Sequence, residues 1–245
     1  MEQGIVIVFL AVCMPAMAGK LPDYIIPCKA DNTLNECSLR NGREVIPKII
    51  KGDPKFRIPR LDPLLISKLA VNQGTSQVGL NLTLRDSNIL GLKATQFTGS
   101  RMDLAKKHVE WDFFVPRIEI VGGYKAAGKI LVLPIVGNGL GNITLLNMNI
   151  TYKFDYKLDR IKGEDYVRIT TAKLKFDSTR MYIRMENLFN GDRLLGEAMH
   201  QFLDQNWKEV LAELGPSVGD AIGTVFKLIF TNVASSVPFR HIFLT

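Results

Sequence analysis

Leu146-Asn147-Met148-Asn149-Ile150-Thr151-Tyr152-Lys153-Phe154-Asp155-Tyr156-Lys157-Leu158 alternates apolar and polar residues without a break over thirteen positions. Successive side chains of a strand point to opposite faces, so the stretch predicts a strand about 40 Å long with one apolar and one wet face. Globular strands usually run about 3–10 residues. One this long has to cover its apolar face or curl around something. The same period of two recurs at Val78, Leu80, Leu82 and Leu84, at Trp111, Phe113 and Val115, and at Val167 and Ile169. One wet face per strand is the antiparallel case. Gly91, Gly99, Gly122-Gly123 and Gly163 are the expected reversals.

The cover comes from the last third. After Gly191-Asp192, apolar residues recur at three and four: Leu195, Met199, Phe202, Leu203, Val210, Leu211 and Leu214, then Val218, Ala221, Ile222, Val225, Phe226, Ile229 and Val233. The stripe predicts a helix of about 43 residues, roughly 64 Å, interrupted at Gly215-Pro216. Asn35 is the expected cap of an earlier helix over Glu36 to Lys51, kinked at Pro47. With no repeats and no low-complexity linker, the pattern is α+β: one domain over 19–245, a long helix packed on long antiparallel strands.

Residues 1–18 stand apart. Gly4 to Met14 is an apolar run of eleven residues, followed by Pro15 and Ala16-Met17-Ala18. That is the pattern of a secretory signal cut after Ala18, although Glu2 replaces the usual basic residue near its start. Removing 18 of 245 residues leaves 227 and raises the net charge from +7 to +8. Cys13 leaves with the signal, and the remaining pair, Cys28 and Cys37, reads as a disulfide in an oxidising compartment. Asn81-Leu82-Thr83, Asn142-Ile143-Thr144 and Asn149-Ile150-Thr151 are glycosylation sequons. Asn81 and Asn149 have the polar parity of their strands. Asn142 has the apolar parity, unless a turn through Gly137-Asn138-Gly139-Leu140-Gly141 extends to it.

Several function classes are poorly served. A 47% apolar, 22% charged chain is not disordered, and no run outside the N-terminus approaches the roughly 20 apolar residues of a membrane span. His108, His200 and His241 have no companions at metal spacing, no G-x-S-x-G occurs, and a strand pattern follows the glycine-rich stretch where phosphate binding needs a helix. No catalytic, metal or cofactor site emerges. Lys106-Lys107 is the densest basic doublet before a strand, so a nucleic-acid patch is not expected, whereas a transient contact with an anionic membrane is compatible with the charge. The informative surplus is apolar: a greasy sheet face plus an amphipathic helix either fills a core or lines a cavity.

An ordered set of motifs carries a resemblance. Val45-Ile46-Pro47-Lys48, Gly52-Asp53-Pro54 and Ile58-Pro59-Arg60-Leu61-Asp62-Pro63-Leu64 follow the cysteine pair. Trp111-Asp112-Phe113, Gly122-Gly123-Tyr124, Gly128-Lys129-Ile130-Leu131 and Leu133-Pro134-Ile135 come next. Phe202-Leu203-Asp204-Gln205-Asn206-Trp207-Lys208-Glu209-Val210 and Val237-Pro238-Phe239 close the series. Over the whole mature chain the sequence resembles the insect takeout and juvenile hormone-binding protein family. The hormone-binding branch adds a second disulfide, so the likeness is to the takeout-like branch. The resemblance implies a tubular lipid-binding type of fold, with a long C-terminal helix wrapped by a strongly curved antiparallel sheet that encloses an apolar tunnel. It implies a secreted, extracellular, monomeric carrier, not an enzyme, whose partner is a terpenoid, juvenile hormone-like or lipid ligand. A receptor contact and, as the alternative function, lipid transfer at membranes go with that reading. The expected tunnel wall is Trp111, Phe113, Leu131, Leu133, Phe202, Val225, Phe226 and Ile229, and the Cys28–Cys37 segment with its helix is the expected lid.

Passed through a eukaryotic secretory pathway, the chain is expected to begin at Gly19 and to lose mass on N-glycosidase treatment. N-terminal sequencing and intact mass before and after the enzyme check both.

Overall fold

A strand with one apolar face cannot lie flat in water, and two very long ones paired along their lengths have to curl. The computed structural model describes residues 19–74 and 79–244. The expected signal segment 1–18, Gln77 and Val78 lie outside the described residues. The spine is a hairpin of β5 (His108–Ile130) and β6 (Leu133–Ile161), paired continuously from His108 opposite Asp155 to Ile130 opposite Leu133. In chain order before it come β1 (Cys28–Lys29), α1 (Leu34–Ile49), β2 (Leu64–Gly74), β3 (Gly79–Leu90) and β4 (Gln96–Asp103). After it come β7 (Glu164–Asp177), β8 (Arg180–Met185), α2 (Arg193–Gln205), α3 (Trp207–Ala234), α4 (Phe239–Ile242) and β9 (Phe243–Leu244).

All pairings of the large sheet are antiparallel: β2-β3-β5-β6-β7, with β4 on the first part of β5 and β8 on the middle of β6. Register shifts between Arg85 and Asn88, between Phe97 and Gly99, and between Asp155 and Tyr156 bend the strands, as bulges do. The sheet does not close. Its concave face receives α3.

The phase of the alternation changes once along the spine. From Met148 onward the even positions of β6 are inward (Met148, Tyr152, Phe154, Tyr156), but before it the odd ones are (Ile135, Leu145). β5 changes phase opposite, between Val115 and Ile118. Asn147 takes a left-handed backbone at φ 50°, and Leu146 and Asn147 both fall outside the buried core. Asn142 therefore has the outward parity, contrary to the reading that extended one alternation through Leu146. It is half-buried and its Oδ1 accepts from Thr144 Oγ1 at 3.1 Å. Asn81 and Asn149 are exposed.

Three other local expectations need correcting. Gly122-Gly123 and Gly137 to Gly141 are strand, not turn: Gly122 lets β5 lie against Ser87, and Gly137 and Gly141 leave room for Tyr124, whose hydroxyl donates to Glu186 O at 2.6 Å. The long C-terminal helix breaks at Asn206, where ψ is 26°, and Pro216 sits inside α3. Thr33, not Asn35, is the N-cap of α1; the Asn35 side chain accepts from Met102 N at 2.7 Å and holds the helix to β4. Pro47 lies inside α1, in its last turn.

α3 approaches the sheet closely because two of its residues lack side chains. A Cβ on Gly219 would stand 2.7 Å from Leu174 O, and one on Gly223 3.2 Å from Leu174 Cβ. α2 is clamped to β8 instead. Arg184 donates to both oxygens of Asp204 at 3.0 and 2.7 Å, and His200 Nε2 accepts from Met185 N at 3.1 Å. That last bond needs neutral imidazole. Burial first, then the Arg184 charge, hold His200 below its ordinary value of 6.5, so the unfolded chain takes a proton that the folded one resists. Stability is expected to fall as pH drops below about 6.5, ahead of the carboxylates, since Arg184 holds Asp204 below its ordinary 3.8. Thermal melts between pH 7 and pH 5 check this, and His200→Gln, which keeps an acceptor, is expected to flatten that slope.

Candidate functional site

Where α3 runs along the concave face, its two halves sit over different spaces. Under the N-terminal half (Val210, Leu211, Leu214, Val218, Ile222) lies a chamber of about 80 Å³ walled by Leu80, Leu82, Leu84, Ala126, Ile130 and Ile135. Under the C-terminal half (Val218, Ile222, Phe226, Ile229, Phe230, Val233) lies a cavity of about 400 Å³. The two share Ile89, Ile120, Leu145, Phe176, Val218 and Ile222, so they meet end to end at mid-helix. The larger space has the volume range of small-molecule sites, about 300–1,000 Å³.

Its wall is apolar, and none of the described residues that line it is charged. Six carry polar side-chain groups, and they divide sharply. At the α1 side, Ser38 accepts from Ser100 at 3.0 Å, Asn41 donates to Ile26 O at 3.1 Å and Thr95 donates to Leu92 O at 2.6 Å. At the other side, Trp111 Nε1, Tyr152 Oη and Tyr156 Oη are buried without any hydrogen-bond partner. Leaving such a group unpaired costs about 1–3 kcal/mol. Burial pushes both tyrosine hydroxyls up, Tyr156 to about 12 with a further push from Asp103, so both stay protonated at physiological pH. Around them is an aromatic cluster: Phe230 lies 5.1 Å from Trp111 and 5.4 Å from Tyr152, and Phe226 6.2 Å from Tyr152, between ring centroids.

Of the residues expected to line a tunnel, Trp111, Phe113, Phe226 and Ile229 face this cavity. Leu131, Leu133, Phe202 and Val225 do not; they pack against the main core. Leu131 is in the tip of the β5–β6 hairpin at φ 52°, Leu133 opens β6 beside it, and the break at Asn206 takes Phe202 off the line of α3. Sequence reasoning missed the face of α1 (Leu34, Val45, Ile46, Ile49, Ile50), the Tyr152-Phe154-Tyr156 row and Phe230. The row was visible as the apolar face of the longest alternation, and Phe230 as the i+4 neighbour of Phe226.

A curved antiparallel sheet on a long helix is also the fold that comparison with known proteins returns. Residues 5–244 match the family described as haemolymph juvenile hormone binding protein. The chain belongs to this family. The solved structure of takeout 1 from Epiphyas postvittana superposes with a TM-score of 0.79 at 28% identity, covering 89% of this chain and 99% of that one. The circadian clock-controlled protein daywake of Drosophila melanogaster is 21% identical over 241 residues, 94% of this chain and 91% of its own. The juvenile hormone-binding protein of Manduca sexta is 32% identical over 83 residues, 34% of this chain and 35% of its own. The family is one of binding proteins rather than enzymes. Among the described residues no helix is long and apolar enough to cross a membrane.

In this member of the family, α1 covers one side of the cavity. Leu34 is its one buried residue, because its apolar face looks onto empty space rather than core. Gly42 lets it lie directly on the Phe97 ring, which a Cβ would strike, and Arg43 Nε donates to Phe97 O at 3.0 Å. The Cys28–Cys37 disulfide ties α1 to β1, which pairs in parallel with β9, so β1 and β9 close the same side. Replacing both cysteines by serine is expected to lower unfolding free energy by about 2–3 kcal/mol, the value for so short a loop. Denaturant melts measure it, and amide exchange is expected to quicken over Leu34–Ile49 more than over β5 and β6.

Proposed function

We propose that the protein is a secreted carrier that holds a hydrophobic small molecule, a terpenoid, juvenile hormone-like or other lipid ligand, in the cavity beneath α3. The observation that carries this reading is the uncharged, apolar space of about 400 Å³ between helix and sheet. A packed core has few voids larger than a water molecule, so an apolar hollow of this size fits a guest better than it fits a filling. Membership in a family of binding proteins supports the same reading. Export is supported by the apolar run ahead of Ala16-Met17-Ala18 and by the Cys28–Cys37 disulfide, which suits an oxidising compartment.

The physics of such a carrier is desolvation. Each ligand CH₂ moved from water into the cavity contributes about 0.8 kcal/mol, close to a fourfold gain in affinity, and the cost of association has to be met first. Long chains are therefore favoured over short ones. Exchange with solvent proceeds by displacement of α1, which has a single buried residue, Leu34.

Delipidated protein is expected to take up an apolar fluorescent probe. A homologous series of aliphatic competitors should gain about three- to fourfold in affinity per methylene until the space is full. Ile222→Trp, at the meeting of the two chambers, should shorten the chain length at which the gain stops. Absence of probe uptake by folded, delipidated protein would sink the carrier reading.

A further inference from the structure

The convex outer side of the sheet, away from the cavity, carries an unbalanced charge. Toward the tip of the β5–β6 hairpin, the outward positions of β2, β3 and β5 hold Lys68, Arg85, Lys125 and Lys129, all exposed. Lys68 stands directly opposite Arg85, and Lys125 stands opposite Thr83, two positions from Arg85. Direct neighbours across an antiparallel pair lie about 5 Å apart and diagonal ones about 7–8 Å, and Lys129 follows Lys125 along β5 by about 13 Å. The cations form a line of about 25 Å across three strands. No Asp or Glu occurs from Lys68 to Gly74, from Asn81 to Arg85, from Gly123 to Lys129 or from Pro134 to Leu140. The acids at the margin are the exposed Asp86, in the β3 bulge, and Glu186, whose N–H donates to Leu140 O. Among the described residues none of the four cations has an ion-pair partner. Farther along the same face the signs are mixed: Arg101 pairs with Glu110 and Asp112, Lys153 with Glu110, and Arg168 with Asp159. Like charges set opposite each other destabilise a sheet, so Lys68 against Arg85 is a repulsion that nothing in the chain relieves.

We propose that this line of cations is a docking surface for a linear sulfated polysaccharide. Such a chain presents a row of anions that stay ionised at physiological pH, and Lys and Arg both bind such groups. Asn81 and Thr83, between the cations, offer hydrogen bonds to sugar hydroxyls. No Phe, Tyr or Trp takes an outward position here, since Tyr124 is buried, so the stacking platform of a nucleic-acid site is missing. A flat bilayer would meet a convex face only along a strip, whereas a flexible chain follows it. The exposed apolar residues Val132, Val136 and Leu140 are spread along the strand rather than gathered into a patch for insertion. Sequence reading shows only the Lys106-Lys107 doublet, because these cations come from three strands and meet through register alone. Asn81, a sequon, stands opposite Ala127, between Lys125 and Lys129, so a glycan there would cover the line. The surface is independent of the carrier reading, because it lies on the other side of the sheet from the cavity.

The test uses the full mature chain with Asn81→Gln, which keeps that sequon bare, and a heparin oligosaccharide as the sulfated probe. Affinity is measured by calorimetry across a salt series. It is expected to fall on the order of a hundredfold between about 50 and 200 mM salt, the drop for roughly four counterion-releasing contacts. Changing Lys68, Arg85, Lys125 and Lys129 together to Gln should remove most of that slope and weaken binding at least about tenfold at roughly 150 mM salt. An equal charge loss elsewhere, Lys107, Lys157, Lys173 and Lys175 to Gln, should cost less than about threefold. Lys68→Gln alone, which relieves a like-charge contact, should melt no lower than its parent, and every variant should take up an apolar probe as its parent does. Equal losses in the two quadruple variants would reduce the effect to net charge and overturn the proposal, as would salt-independent or absent heparin binding. Tighter binding to phosphatidylserine vesicles than to heparin, lost with Val132→Ser, would also overturn it and assign the face to a membrane. None of these outcomes bears on probe uptake, so the carrier reading stands or falls separately.

Discussion

The continuous pairing of β5 with β6 is the constraint on which the rest of the structure depends. Their ladder runs from His108–Asp155 to Ile130–Leu133, and β3, β4, β7 and β8 are all attached to it. Two strands of that length with one apolar face need a partner on that face, and bulges supply the bend that wraps them around it. α3 is that partner. It lies close where Gly219 and Gly223 meet Leu174. Elsewhere the helix and the trough are not matched in width. On the N-terminal side of the contact the sheet closes down to a small chamber, and on the C-terminal side it stands off and leaves the larger one.

The hollow is thus a consequence of strand length and curvature more than of any single residue. What individual residues add is polarity. Around the α1 side, Ser38, Asn41 and Thr95 spend their hydrogen-bonding capacity on the protein itself. Across the cavity, Trp111, Tyr152 and Tyr156 do not. Ordinary cores avoid this arrangement because each unpaired group is costly, whereas a binding cavity tolerates it when the guest restores the missing partner. The same economy explains α1: an amphipathic helix with little buried surface is weakly held by packing, and the disulfide, Asn35 and Arg43 fasten it at points instead.

Much of this was legible in the sequence. Period-two alternation at Met148 to Leu158 and the helical stripe from Leu195 to Val233 announced long one-faced strands and an amphipathic cover. The Cys28–Cys37 pair was legible as the two cysteines left once residues 1–18 are read as a signal. Phase was not: alternation reads the same on either side of Asn147, and only the left-handed backbone there shows that the apolar face changes from odd to even positions. The helix break was misplaced for a related reason. Gly215-Pro216 is the stronger breaker by propensity, yet tertiary packing carries α3 through it, and the chain turns at Asn206 to let α2 reach β8.

The candidate site was legible by half. An apolar residue on a strand or helix face signals burial, and burial is the same signal whether the neighbour is a side chain or a void, so Trp111 and Phe226 could not be told from Leu131 and Val225 by pattern. The sequence by itself determined the elements, their amphipathicity and the family, because these depend on local periodicity and on the order of short motifs. Only the tertiary structure decided where the trough stands off from α3, and which polar atoms are left buried without partners. Those are properties of distances between elements far apart in the chain, and no local pattern encodes them.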